Sequence, residues 1–586
     1  MSDSLFGADF QQIYSNPGTL FPSPEDWRDC PIYFLMVDRF YNPRKAPNHT
    51  PSDDPNFFAY QGGSFDGVQA QLPYIRNLGA RAIWLSPVLE NRIVDEGSYH
   101  GYGIQDFLHA NRRFAANPDN ADDELRALVD AAHQAGLYVI FDIVLNHTGD
   151  LFAYTGAGSQ ASFNRTPLPI QWRDAAGNPR ADWPVIENIP LPRPADALVW
   201  PKELQFNAVF RRQGTPAANG DDTVGDFASL KQMMTENTAV QNALIRAYQY
   251  VIARFDVDGF RIDTLRYLKG SLPLTFGNAI REYALSVGKK NFFTFGEVWT
   301  SNSEAAIANF IGRNSNDGGD MVGVDAALDY PLFDCLKATV KGFASPGSVI
   351  GMYNTRKGIE KDILSSHGDA TRFFVTFLDN HDVKERLRHL DPSQQPALDD
   401  EVTLGLACLA ALPGIPCVYY GTEQGLHGAG SDPAVREALW GGPGFNATSS
   451  FYEEIAQILG VRQAEAAIRY GRFYFRQLSG DGTDFGFSSF APGVLAFSRI
   501  LNDREVLTVA NFSKSAPQRL YVAVDSTLSP AGTALSTLYT NKTSPVSAGN
   551  TEWLANATVA QLDGSTSRGV CASLVTLAAG EVQILG

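Results

Sequence analysis

The chain has 586 residues, 44% of them hydrophobic and only 19% charged, which supplies apolar material for several cores and excludes a coiled coil or a mostly disordered protein. Sixty-four acidic against forty-seven basic side chains leave a formal charge of −17. That sign repels phosphate backbones and anionic lipid surfaces, so neither nucleic acid nor a membrane is an expected partner.

The opening segment MSDSLFGADF lacks the basic and apolar regions of a signal peptide, and no window reaches the roughly 18 apolar residues of a membrane span. A soluble chain is expected, cytoplasmic or secreted with its signal removed, and residues 1–29 read as an irregular leader. From residue 30 onward short β-rich apolar runs alternate with helix-like stretches. The runs are PIYFLMV (31–37), RAIWLSPV (81–88), LYVIFDIVL (137–145), VDGFRI (257–262), NFFTFGEV (291–298), VGVDAAL (322–328), TRFFVTFL (371–378) and GIPCVYY (414–420). Over residues 122–136 and 240–255 the apolar positions recur at three and four, the helical period.

Eight strands alternating with helices predict an α/β fold of the (β/α)8 TIM barrel type, spanning 30–147 and 236–470. Residues 148–235, rich in Pro, Gly, Asn and Asp, are too long for an ordinary connection and read as a domain inserted after the third strand. Beyond 470, alternating segments such as GVLAFSRIL (493–501) and REVLTVANFS (504–513) predict a C-terminal antiparallel β-sandwich domain over 471–586. The five cysteines, Cys30, Cys335, Cys408, Cys417 and Cys571, are scattered and spell neither a zinc motif nor a disulfide framework.

Such a barrel carries its catalytic groups at the C-terminal ends of its strands. Here the third strand ends in Asp142, Asn146 and His147, the fourth in Arg261 and Asp263, the fifth in Glu297 and Trp299, and the seventh in Asp379-Asn380-His381-Asp382. Residues two apart on a strand share a face, so Arg261 and Asp263 point together into the barrel mouth, with Phe260 and Ile262 toward the helices. An arginine beside an aspartate favours the charged carboxylate that a nucleophile needs. The neighbours Val298 and Trp299 favour a protonated Glu297, as a general acid requires. Two carboxyl groups with split roles are the minimum for glycoside hydrolysis, and adjacent strands can hold them at the ~5 to 5.5 Å of a retaining double displacement. Asp382 can favour the oxocarbenium-like transition state, with His147 and His381 as donors to the same sugar.

These motifs, D-x-x-x-N-H, G-F-R-x-D, G-E-V-W and D-N-H-D in this order, closely resemble those of the α-amylase superfamily, glycoside hydrolase family 13, over roughly residues 30–470. The resemblance implies Asp263 as nucleophile, Glu297 as acid/base and Asp382 as transition-state stabiliser. Arg261, His147 and His381 would line the sugar subsite, with Tyr102 stacking under the sugar, His100 helping to hold it and Asp142 partnering Arg261. It also implies a structural Ca²⁺ between barrel and insertion, held by Asn146, Asp226 and the backbone carbonyl of Tyr267, all oxygen donors as a hard cation requires.

The implied reaction is retaining hydrolysis of α-1,4-glucosidic bonds in starch, maltodextrins or cyclodextrins to maltooligosaccharides, with an α-glucan as the partner molecule. A 4-α-glucanotransferase would use the same glycosyl-enzyme, and a barrel that binds carbohydrate without turnover is a third reading. Tyr419, Tyr420 and Glu423 read as structural, and basic pairs such as Arg211-Arg212 and Lys289-Lys290 as solvated faces. Trp172, Trp183 and Trp200 either build sugar subsites or pack the insertion.

Overall fold

A computed structural model of the chain describes residues 3–49, 58–218, 220–301, 303–313, 322–359, 364–388, 399–542 and 548–586. Each of the eight apolar runs yields a strand: β1 (Ile32–Leu35), β2 (Ala82–Leu85), β3 (Tyr138–Val144), β4 (Gly259–Asp263), β5 (Phe293–Gly296), β6 (Ala326–Ala327), β7 (Val375–Thr376) and β8 (Ile415–Tyr419). They pair in parallel in the order β6-β5-β4-β3-β2-β1-β8-β7. A parallel bridge between Leu328 and Val375 joins the two outer strands, so the sheet closes on itself as a barrel.

Register decides which side chains meet at the mouth. Arg261 on β4 lies opposite Asp142 on β3, and Phe34 on β1 lies opposite Trp84 on β2. The Phe34 and Trp84 rings stack at 3.8 Å and Trp84 meets Phe295 edge-on at 5.5 Å, forming a packed floor beneath the polar strand ends. Burying each such ring contributes about 1.5–3 kcal/mol. Phe260 points the other way, against Tyr248 of the helix Thr238–Phe255, as strand alternation predicts.

Two expectations are corrected. The first 29 residues are not wholly irregular: Ala8–Ser15 form α1, whose buried Phe10 stacks on Tyr250 at 4.7 Å and whose Tyr14 stacks on Tyr283 at 4.9 Å. The second concerns Lys289, which is not on a solvated face but buried. Its Nζ lies 2.7 Å from Asp256 Oδ1 and 2.8 Å from Asp258 Oδ1 and donates to the Phe21 carbonyl at 3.0 Å. His133 reaches the other Asp258 oxygen at 2.8 Å, so one cation and one imidazole tie the leader to the bottom of the barrel. Breaking a buried pair by removing one partner costs about 3–5 kcal/mol because the other charge is stranded. Lys289→Met is therefore expected to lower the unfolding free energy measured in urea by an amount of that order, whereas Lys290→Met leaves it unchanged.

The insertion begins and ends at the lip of β3. Lys231–Gln232 return to pair antiparallel with His147–Thr148, and Phe152–Tyr154 pair with Ile170–Trp172. Trp172, Trp183 and Trp200 are buried, so they pack the insertion and do not face solvent.

Beyond residue 470 two five-stranded sheets face each other. Val494, Ala496, Leu507 and Val509 of one share an apolar cluster with Leu520, Val522, Val575 and Leu577 of the other. The first sheet's opposite side chains, Leu495, Phe497, Val506 and Ala510, join the barrel's core. Being covered on both faces, Val494–Leu501 and Arg504–Asn511 are buried almost continuously, the pattern of a central layer and not of a half-exposed strand. Pairing is antiparallel except where Asp484–Phe485 run parallel to Thr558 and Val559. Among the described residues no helix is long and apolar enough to cross a membrane.

Candidate active site

The strand ends surround a cleft of about 570 Å³ lined by His100, Tyr102, His147, Asp263, Glu297, His381 and Asp382, with Tyr267 also on its wall. A volume of this size is typical of small-ligand sites. Arg261 lies beneath, fully buried. Its Nη1 donates to Asp263 Oδ1 at 2.9 Å and to both oxygens of Asp142 at 2.9 and 3.0 Å, and its Nη2 donates to Glu297 Oε2 at 2.6 Å. One planar fork thus holds three carboxyl groups from three successive strand ends, the geometry for which guanidinium is suited. Asp142 is fixed in turn by Trp84 Nε1 at 3.1 Å and the Tyr102 hydroxyl at 2.9 Å.

The backbone beside the nucleophile candidate is strained. Thr264 takes φ +48°, a left-handed conformation that β-branched residues rarely adopt and that costs on the order of 1–3 kcal/mol. The turn aims the Thr264 N–H at Glu297 Oε2, 3.2 Å away. On the next strand a Cβ at Gly296 would lie 2.2 Å from Leu265 Cδ2, so glycine lets β5 pass close to this turn and deliver Glu297 beside Asp263.

Burial, reinforced by the charges of Asp263 and Asp382 and opposed by Arg261, pushes the Glu297 carboxyl up to about 8. Both hydrogen bonds it accepts fall on Oε2, which leaves Oε1 to carry a proton. The apolar surroundings come from Val298, which is buried, more than from Trp299, which is 40% exposed and stacks flat on Tyr330 at 4.7 Å.

The three histidines are held neutral. Burial lowers the pKa of each, with Arg436 adding to the effect at His100 and His381. They differ in freedom. His381 is engaged on both nitrogens, Nδ1 with Asn380 Oδ1 at 2.5 Å and Nε2 with the Tyr102 hydroxyl at 2.6 Å. His147 Nε2 is buried, makes no hydrogen bond among the described residues and lies 3.9 Å from Asp263 Oδ2. An unsatisfied buried group of this kind is a place for a ligand polar atom. His100 Nδ1 accepts the Tyr102 N–H at 3.0 Å, so the proton of its neutral ring sits on Nε2.

Asp382 is oriented by a residue that the motifs do not contain. Arg436, in the loop after β8, donates to Asp382 Oδ1 at 3.0 Å, to the His381 carbonyl at 2.9 Å and to the Tyr99 hydroxyl at 3.1 Å. Displacing a reacting group by a fraction of its length costs about 10²-fold. Arg436→Met is expected to lower kcat/KM by about that factor, mainly through kcat, with the far-ultraviolet dichroism spectrum unchanged.

A family model described as "Alpha amylase, catalytic domain" matches residues 34–469. The chain belongs to the α-amylase family. Among its relatives, an α-amylase of Streptomyces lividans is 28% identical over 443 residues, covering 72% of this chain and 46% of that protein. A beta/alpha-amylase of Paenibacillus polymyxa is 29% identical over 467 residues, covering 78% and 32% respectively. The chain therefore spans half or less of the length of these two relatives. In three dimensions it resembles an α-amylase from Geobacillus thermoleovorans complexed with acarbose, with TM-score 0.64 and 23% identity over 96% of this chain and 99% of that one. It also resembles a cyclomaltodextrin glucanotransferase with a three-domain ABC distribution, with TM-score 0.68 and 20% identity over 95% and 98%.

Within this α-amylase family member two of the three groups expected to hold calcium, Asn146 and Asp226, already accept hydrogen bonds from protein donors. Asn146 Oδ1 accepts the Gln232 side-chain amide at 3.2 Å. Asp226 Oδ1 accepts the Gln232 backbone N–H at 3.0 Å, and its Oδ2 accepts the Tyr154 hydroxyl at 2.7 Å. These oxygens face protein donors, whereas a hard dication requires them to converge on it. Tyr419, Tyr420 and Glu423 are buried and bonded internally: Glu423 Oε1 accepts Tyr33 and Tyr74 hydroxyls at 2.7 and 3.0 Å, and the Tyr420 hydroxyl donates to the Glu437 carbonyl.

Proposed function

We propose that the protein cleaves α-1,4-glucosidic bonds of starch, maltodextrins or cyclodextrins with retention of anomeric configuration, releasing maltooligosaccharides. The observation that carries this reading is the single Arg261 fork touching both Asp263 and Glu297, since one guanidinium bridges only carboxyl groups that lie close together, as a retaining mechanism needs. Asp263 attacks the anomeric carbon while Glu297, protonated at neutral pH, gives its proton to the departing glycosidic oxygen. Glu297, then ionised, takes a proton from water as the water breaks the glycosyl–Asp263 bond, and both carboxyl groups return to their starting states. The free Nε2 of His147 offers a polar contact to the sugar, and Asp382 offers an acceptor to its hydroxyls that strengthens as positive charge develops on the ring.

Transfer to a sugar acceptor is a second reading with an observation of its own. Phe227, half exposed, and Trp299 both line the cleft, and such flat apolar faces suit a sugar ring better than a water molecule. Chromatography of products from starch, a cyclodextrin and maltotriose separates the readings. Hydrolysis predicts reducing ends rising with every bond cleaved and an α-anomer as the first product by ¹H NMR. Longer oligomers from maltotriose with few new reducing ends would favour transfer, and a β-anomer as first product would refute retention.

A further inference from the structure

The junction between barrel and insertion is built around a buried lysine. Lys231 has no exposed side-chain surface, and its Nζ lies 3.4 Å from Asp226 Oδ2 and 3.4 Å from Asp150 Oδ1. It also donates to the Ser159 carbonyl and faces the rings of Phe152 and Tyr154 at 5.0 and 4.9 Å. This enclosure of carboxylates, a carbonyl and aromatic faces is suited to a monovalent cation. Among the described residues Asp150 Oδ1 has no hydrogen-bond partner and faces the Lys231 ammonium, while its Oδ2 accepts Ser159 and Arg173 at 2.6 and 2.9 Å.

The orientation of Gln232 closes the remaining coordination. Its Oε1 accepts the Gly225 N–H at 2.7 Å and its Nε2 donates to the Thr223 carbonyl at 3.0 Å. Those two bonds fix the amide, so the group turned toward Asn146 Oδ1 is NH₂, a donor that competes with any metal for that oxygen. A dication placed among these atoms would meet an ammonium, an N–H and an O–H where it needs lone pairs.

We propose that Lys231 takes the part of a structural dication in this chain: its ammonium neutralises Asp226 and Asp150 and pins the insertion to the barrel, so that the fold holds without calcium. The inference rests on membership of the family and not on the reaction proposed above. Lys231 pairs in register with Thr148, and Gln232 with His147, so the same clamp sets the position of His147 in the cleft.

Thermal unfolding of the full chain tests it. Wild-type protein dialysed exhaustively against EGTA and the same protein with excess calcium chloride are expected to share one Tm. Lys231→Met is expected to lower that Tm by several degrees in both buffers. Lys231→Ser, which leaves the carboxylates and opens space, is expected to lose stability in EGTA and regain part of it with calcium. A wild-type Tm that falls on chelation, or stoichiometric calcium binding by titration calorimetry of the wild type, overturns the proposal, as does a Lys231→Met protein as stable as wild type. The wild-type comparison stands even where the variants fail to fold.

Discussion

Asp263→Asn is expected to abolish turnover of soluble starch, lowering kcat by at least about four orders of magnitude, the scale on which removal of a catalytic nucleophile acts, while the protein remains folded. The substitution keeps shape and hydrogen-bonding capacity but removes the charge that attacks carbon. Asp263 receives one Arg261 bond at 2.9 Å, and an amide oxygen can accept it, so circular dichroism and Tm should change little. Because Asp142 and Glu297 still bind Arg261, the fork stays in place and the loss falls on kcat more than on KM. Retention of more than a tenth of wild-type reducing-end release would remove Asp263 from the mechanism.

Glu297→Gln is expected to lower activity on starch by about 10²- to 10⁴-fold, the range for loss of a general acid, and to act differently on a substrate whose leaving group needs no proton. With maltosyl fluoride the first step should be largely spared, and only deglycosylation slowed. The pH dependence follows from the sign of the shift. Glu297 is raised from 4.5 to about 8, so the folded protein retains a proton that the unfolded chain has released. The associated stability is fully present below pH 4.5 and is lost as pH rises through 8. Wild-type kcat/KM should therefore fall on an alkaline limb near pH 8, and wild-type Tm should fall more steeply than that of Glu297→Gln across the window from pH 4.5 to 8, levelling off above it, because the variant has no proton to lose. Parallel Tm profiles for the two proteins would show that Glu297 titrates elsewhere.

The catalytic face of the fold was legible because its groups sit at strand ends, where a few consecutive residues carry both the β pattern and the chemistry. Arg261 and Asp263 share a face by alternation alone, and the register that sets Arg261 against Asp142 follows once both runs are strands. Arg436 was not legible. It is a lone arginine in a loop after β8, and only the closed barrel brings it to Asp382. Trp84 lies inside an apolar run and reads as core, which it is, yet its indole N–H also holds Asp142.

Lys289 reads as a surface residue because its pairing is long-range. It stands in a sequence typical of surface lysines, and what buries it are carboxylates from a distant segment, Asp256 and Asp258; Lys231, which no sequence motif singles out, is buried in the same way against Asp150. Long-range pairing of this kind leaves no local periodicity to detect. Helix α1 did leave one, with Phe10, Ile13 and Tyr14 at helical spacing, but the eight residues between Gly7 and Asn16 make too short a window for it to stand out. The continuous burial of the first C-terminal sheet likewise depends on the barrel lying against it, which no single strand records.

The most direct measurement is to trap the glycosyl-enzyme. A 5-fluoro-α-glycosyl fluoride, whose intermediate forms faster than it is hydrolysed, should add one glycosyl mass to the intact protein, and peptide mapping should locate it on Asp263 in the Gly259–Asp263 strand end. A label on another residue, or efficient turnover of starch with no covalent species under any trapping condition, would contradict the account.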